Sequence, residues 1–186
     1  YIFPIMNVQI QCLCRLFPVT EGVIIVLGQA IGDGKRVPKH LGAIIESPGF
    51  LPNCSGYRNL YYLMELSGKA DKERIRTVIS QVGLDPDSKK HVGKYSMGMR
   101  QRLGLAQAIM EDPEILILDE PTAGLDPRER IRFRNLISQF SENRIIILAT
   151  HIVPDIEFIA NKIILLHEGN LLKYDTPTAL CDELEG

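Results

Sequence analysis

Six residues, Ile115-Leu116-Ile117-Leu118-Asp119-Glu120, constrain this chain more than any others. Four consecutive branched apolar side chains read as a strand buried on both faces, the pattern of a parallel sheet rather than of a half-exposed one. Two carboxylates then leave the strand together. Ligands of open α/β sheets bind at the carboxyl ends of the strands. Asp119 and Glu120 therefore stand where a metal-binding acid and a water-orienting base are useful. Taken alone, the hexapeptide also fits a solvated acidic turn after a core strand.

The sequence after it alternates strand and helix. Asp126-Pro127 offers an N-cap followed by proline at the first helical position. Ile131, Phe133, Leu136, Ile137 and Phe140 then recur roughly on one side of the helix. Residues 144–149 read as a second buried strand, and a short helix through Ile156, Ile159 and Ala160 leads to a third, 162–166. Glu168-Gly169-Asn170 is turn chemistry, residues 171–174 return as a hairpin partner, and Thr176-Pro177 starts a closing helix. This order predicts an α/β fold.

Residues 49–111 differ. Pro48, Gly49, Pro52, Asn53 and Gly56 make a loop, and three segments of helical period follow. The first carries Tyr61, Leu63, Met64 and Leu66. The second carries Ile75, Val78, Ile79 and Val82 and ends at Gly83. The third runs from Ser96 to about Glu111. The expectation is an all-helical lobe, 49–111, inserted into an α/β core made of 1–48 and 112–186.

Composition excludes some classes. At 186 residues, 45% hydrophobic and 24% charged, the chain holds one domain, or a core with a smaller lobe. A formal charge of −2 leaves no basic footprint for nucleic acid. No apolar run approaches the about 20 residues of a membrane-spanning helix, so membranes are reached through a partner. Cys12, Cys14, Cys54 and Cys181 lack metal-ligand spacing and read as thiols in a reducing cytosol. The chain opens on Tyr1 without a basic n-region, so it is expected to begin inside a longer reading frame.

A second motif is Tyr95-Ser96-Met97-Gly98-Met99-Arg100-Gln101-Arg102. Ser96 is a natural N-cap, and Leu103, Ala106, Gln107 and Met110 continue a helix behind it. Gly98 is expected to leave the first turn uncovered by any side chain. Exposed amides and the positive end of the helix dipole would then attract an anion. The plainer alternative is an ordinary capped helix.

Together these motifs resemble the ATP-binding subunit of ABC transporters. Residues 96–102 are similar to the signature motif, Leu118-Asp119-Glu120-Pro121 to the Walker B segment, and Ala123-Gly124-Leu125-Asp126 to the D-loop. Thr150-His151, just after the strand 144–149, resembles the switch histidine. The resemblance implies a P-loop NTPase-like parallel sheet with an inserted helical subdomain, and ATP and Mg²⁺ as cofactors. It implies that Asp119 serves Mg²⁺, that Glu120 is the general base, and that His151 contacts the γ-phosphate. Ser96, Gly98 and the adjoining Met99 would meet the nucleotide held by a second ABC subunit, in a homo- or heterodimer, with Asp126 at the interface between them. The partner it implies is an integral membrane permease, with the ATPase peripheral at the cytoplasmic face.

Two departures stand out. Glu46 occupies the position of the Q-loop glutamine, where it would sense Mg²⁺ and couple to the permease. With Pro48-Gly49-Phe50 and Tyr95, it resembles the exporter branch of bacitracin- and lantibiotic-resistance ATPases. The other departure is the phosphate loop G-x-x-x-x-G-K-[ST], which has no match. Residues 29–36 come nearest, but Gln29 replaces the first glycine and Arg36 the Mg²⁺-binding hydroxyl, so Lys35 is a decoy. Arg15-Leu16-Phe17-Pro18 and Val26-Leu27-Gly28 resemble the family's segment downstream of Walker A. The core is therefore expected to be N-terminally incomplete and, by itself, inactive. The alternative function is a binding module that lends only its signature motif to a partner's ATP. An ABC ATPase of translation or repair would carry duplicated cassettes or long coiled-coil insertions, and neither is visible.

Overall fold

The computed structural model describes residues 10–14, 16–31, 41–45, 48–68 and 70–182. In chain order the elements are β1 (Ile24–Val26), β2 (Gln29–Ile31), β3 (Leu41–Ile44), α1 (Gly56–Leu66), α2 (Lys72–Gln81), α3 (Met97–Ile109), β4 (Ile115–Asp119), α4 (Pro127–Ser141), β5 (Ile145–Ala149), α5 (Val153–Ile159), β6 (Ile163–His167), β7 (Asn170–Asp175) and α6 (Pro177–Asp182). They divide into two compact units, one formed by Tyr1–Lys39 with Leu148–Gly186 and the other by His40–Ile147.

The first unit holds two antiparallel hairpins. β1 and β2 are joined by Leu27 and Gly28 at φ 49° and 75°, and β6 and β7 by Glu168 and Gly169 at φ 48° and 80°. Two successive positive φ values give the turn whose twist matches the flanking strands. Glu168-Gly169 thus performs the turn that its composition predicts. Thr176, just before α6, accepts the Ala179 N–H through Oγ1 at 3.2 Å.

The second unit is built on β4, whose five residues are all buried. It lies between β3 and β5 in the sheet and runs parallel to β3, with Leu41 opposite Ile115 and Ile44 opposite Leu118. α3 packs directly on β3 at Gly42. A Cβ there would meet the Ala108 carbonyl oxygen and stand 2.9 Å from Pro113 Cγ, so only glycine admits this approach of helix to strand.

Residues 49–111 fold as α1, α2, a 3-10 turn at Val92–Lys94 and α3. Among the described residues of this stretch, the one β feature is an isolated bridge between Ser55 and His91. The loop before α1 is pinned from inside. Buried Asn59 accepts the Leu51 N–H at 2.7 Å and donates to the carbonyls of Leu51 and Ser55 at 3.2 and 3.0 Å. Ser55, Asp71, Ser96 and Asp126 each cap a helix with a side-chain oxygen. Gly83, at φ 69°, ends the α2 segment as predicted.

The helical faces depart from the simple period in two places. Leu66 is 85% exposed, and the core side of α1 is Leu60 and Met64, spaced i, i+4. Ile131 is 51% exposed, while Phe133, Ile137 and Phe140 face inward. Two positions along a helix are about 200° apart, so Ile131 cannot share the face of Phe133.

Candidate functional site

The acidic strand exit has an unusual backbone. Asp119 ends β4 with 4% of its surface exposed. Glu120 then adopts φ 46°, a left-handed conformation that costs a non-glycine residue about 1–2 kcal/mol. Strain of this kind persists where the surroundings over-determine it, and it clusters at active sites. The turn it opens is closed by Ala123 N–H to Glu120 O at 3.1 Å and by Leu125 N–H to Thr122 O at 3.2 Å. Asp126 then caps α4, one oxygen accepting the N–H groups of Arg128 and Glu129, each at 3.0 Å.

The start of α3 is the second part. Ser96 Oγ accepts the Met99 N–H at 3.2 Å, and the Ser96 carbonyl accepts the Arg100 N–H at 3.0 Å. The Met97 and Gly98 amides, which have no acceptor four residues back in the helix, are thus the ones left over. Ser96 uses a lone pair for its cap, so its hydroxyl proton remains to donate.

These two parts meet side by side. A Cβ at Gly124 would lie 3.0 Å from Met97 Sδ, so the signature-like turn rests on the loop after β4. A Cβ at Gly98 would collide with Glu129 Oε2 and lie 2.9 Å from both Cδ and Cγ. The expected uncovered face at Gly98 is therefore corrected: Glu129, from the first turn of α4, lies across it. Helix amides point along the axis and side chains outward, so Glu129 covers the flank of the turn and leaves the axial N–H direction to the backbone.

Glu129 is itself held. Its Oε2 is 3.3 Å from Arg102 Nε, a charge contact without an aligned hydrogen bond, and its Oε1 accepts from Arg132 at 3.2 Å. Arg102 is buried at 5% exposure and donates to the carbonyls of Gly83 at 2.8 Å and Val82 at 3.4 Å, at the end of α2. Burial pushes its guanidinium pKa down, and the Glu129 carboxylate pulls it back up. One arginine thus ties α2, α3 and α4 together. Tyr95, just before the turn, is buried, and that burial raises its phenol pKa.

Residues 8–123 match the family model described as ABC transporter. The chain belongs to the ABC transporter family. It is 39% identical over 167 residues to the bacitracin transport ATP-binding protein BcrA of Bacillus licheniformis, which covers 88% of this chain and 55% of that protein. It is 43% identical over 160 residues to BcrA of Enterococcus faecalis, with 84% and 52% covered. The lantibiotic transport ATP-binding protein SrtF of Streptococcus pyogenes is 35% identical, and 70% of it is covered. The chain spans about half the length of the BcrA proteins it matches. The resemblance to the bacitracin and lantibiotic branch thus holds.

Solved structures give the same fold. The dimeric ATP-binding cassette MJ0796 bound to ADP and Pi matches with a TM-score of 0.79 at 18% identity, covering 92% of this chain and 80% of that one. For cbiO1 from Clostridium perfringens, part of the complex cbiONQ, the TM-score is 0.84 at 22% identity, with 97% and 76% covered. The α/β, P-loop NTPase-like expectation is met.

Within this ABC unit the structure gathers Ser96, Gly98, Met99, Asp119, Glu120 and Asp126 into residues 40–147. Met99 is half-buried, and its sulfur lies 3.9 Å from Lys90 Nζ. His151 belongs to the other unit, where it is exposed beside buried Thr150, whose Oγ1 accepts the Ile152 N–H at 3.1 Å. Glu46, and Lys35 with Arg36, lie outside the described residues. Among the described residues no group of three or more His, Cys, Asp or Glu side chains could hold a metal ion. Mg²⁺ in nucleotide sites takes one or two carboxylates and completes its shell with phosphate oxygens and water, so the single buried carboxylate of Asp119 at the strand exit fits it. No helix among the described residues is long and apolar enough to cross a membrane.

Arg102 and Glu129 were not legible as site residues. Asp126-x-x-Glu129 reads as a capping box, in which Glu129 turns back to its own helix start. Its oxygens go instead to Arg102 and Arg132. The available signal was Arg102 directly before the apolar run Leu103-Gly104-Leu105-Ala106, since an arginine drawn into the core with that run needs a counter-ion.

Proposed function

We propose that this chain is the nucleotide-binding part of an ABC exporter subunit, which hydrolyses Mg-ATP as a dimer and drives a membrane permease from the cytoplasmic face. The observation that carries this reading is the strained Glu120 at the exit of β4, placed one residue after buried Asp119 and opening the turn that leads to the Asp126-capped helix. Relatives named for bacitracin and lantibiotic transport support export as the direction and an antimicrobial peptide as the cargo. Residues 49–111 act in this reading as the helical lobe that carries the signature turn, and 1–48 with 112–186 as the core.

The residues divide the work as follows. Asp119 would hold Mg²⁺, which when bound would supply positive charge against the negative charge of the transferred phosphoryl group. Glu120 accepts the proton of the attacking water. His151 donates to the γ-phosphate oxygens. Ser96, through its free hydroxyl proton, and the Met97 and Gly98 amides meet the γ-phosphate of the nucleotide held by the opposite subunit. Glu46 senses Mg²⁺ and couples the site to the permease, and Asp126 faces the second subunit.

A second reading takes residues 1–186, which hold no G-x-x-x-x-G-K-[ST] segment, as a binding module. In that reading the chain lends its signature turn to a partner's ATP and does no chemistry itself. Steady-state turnover of Mg-ATP decides between them. The first reading predicts turnover by the native-length protein and none by residues 1–186 alone. The second predicts none by either, with turnover appearing only when a partner that carries a phosphate loop is added.

A further inference from the structure

We infer that Glu129 is a positioning residue for the signature turn, holding Ser96–Gly98 in register with the Asp126 loop through its contact with Gly98 and its ion pair with Arg102. This rests on the reading that Ser96 and Gly98 meet a γ-phosphate.

Three features converge on it. Glu129 fills the space left by the absent side chain of Gly98, so the flank of the turn is shaped by a residue from another helix. The carboxylate is 21% exposed and its partner Arg102 is 6% exposed in the side chain, so their attraction is screened far less than that of a surface pair. Glu129 is also the third residue of a helix whose first turn is fixed by Asp126, both of whose capping bonds, including the one from Glu129 N–H, measure 3.0 Å. The same residue therefore touches the turn that presents the amides and the cap of the loop that follows Glu120.

Charge placement explains why the residue is a glutamate. A bare carboxylate beside an anion-binding turn would repel a phosphate. Here it lies between Arg102 and Arg132, and the group is neutralised where it stands. Glu129 thus contributes shape and a fixed anchor to the turn without setting a net negative charge against the ligand. Met97 on Gly124 supplies a second, uncharged contact between the same two segments.

The test is Mg-ATP-driven association of the native-length protein, followed by sedimentation, in five variants. Glu129→Ala removes anchor and filler, and is expected to weaken ATP-driven association by about tenfold or more, the scale of one charge-assisted contact. Glu129→Gln keeps the shape but removes the counter-charge of Arg102, and is expected to recover only part of the loss. Gly98→Ala alone is expected to be worse than Gly98→Ala with Glu129→Ala, because the second change vacates the space the methyl needs. A purely structural role would lower the melting temperature of these variants without changing the ATP dependence of the folded fraction, and that result overturns the inference. Ser96→Ala separates the two levels: loss of association in Ser96→Ala with none in Glu129→Ala overturns the role of Glu129 alone, whereas no effect in Ser96→Ala overturns the phosphate reading and the inference with it.

Discussion

The Glu129 carboxyl occupies the volume that a side chain at Gly98 would need, with Cδ and Cγ 2.9 Å from the ideal Cβ position. Any larger residue at 98 must push Glu129 away from Arg102. Gly98→Ala is therefore expected to destabilise the fold by about 1–3 kcal/mol, the usual range for overpacking. Urea denaturation measures it, and a Gly98→Ala protein as stable as the parent contradicts the contact.

Arg102 serves two masters, the Gly83 and Val82 carbonyls and the Glu129 carboxylate. Arg102→Met keeps the length but strands all of them. The expected loss is about 3 kcal/mol, the low end for breaking a buried pair, because Glu129 retains some solvent. Arg102→Lys should recover little of it, since one ammonium cannot span both directions of the guanidinium fork. Chemical denaturation of the two variants side by side checks both statements.

Gly42 is the contact point of β3 and α3, where a methyl group would run into the Ala108 carbonyl. The obstacle is backbone, which cannot swing aside as a side chain can. Gly42→Ala should cost about 2–3 kcal/mol and broaden the thermal transition as the helix lifts off the sheet.

Glu120 trades stability for function. In the left-handed region glycine is relaxed where glutamate is strained. Glu120→Gly should raise unfolding stability by up to about 1 kcal/mol while the native-length protein loses turnover by about 10²–10⁴-fold, the contribution of a general base. Thermal melts and phosphate release, read on the same preparation, test both halves.

Elements set by local chemistry were readable in advance. The buried run 115–118, the caps Ser96 and Asp126, the glycine stop at 83 and the Glu168-Gly169 turn all appear in the structure where the sequence placed them. What was not readable depends on two segments meeting. The Arg102–Glu129 pair joins residues 27 positions apart, and the covering of Gly98 follows from how α4 crosses α3. Neither helix alone specifies that crossing. The exposed Leu66 and Ile131 show the same limit on a smaller scale, since an apolar residue off the packing face leaves no mark in composition.

The central claim is that the signature turn of this chain closes on ATP held by a second subunit while Glu120 performs the hydrolysis. The most direct measurement is the sedimentation of the native-length Glu120→Gln protein with and without Mg-ATP. The account predicts a monomer without nucleotide and a persistent dimer with it, because the sandwich forms but cannot be discharged. A sedimentation coefficient unmoved by ATP would contradict it.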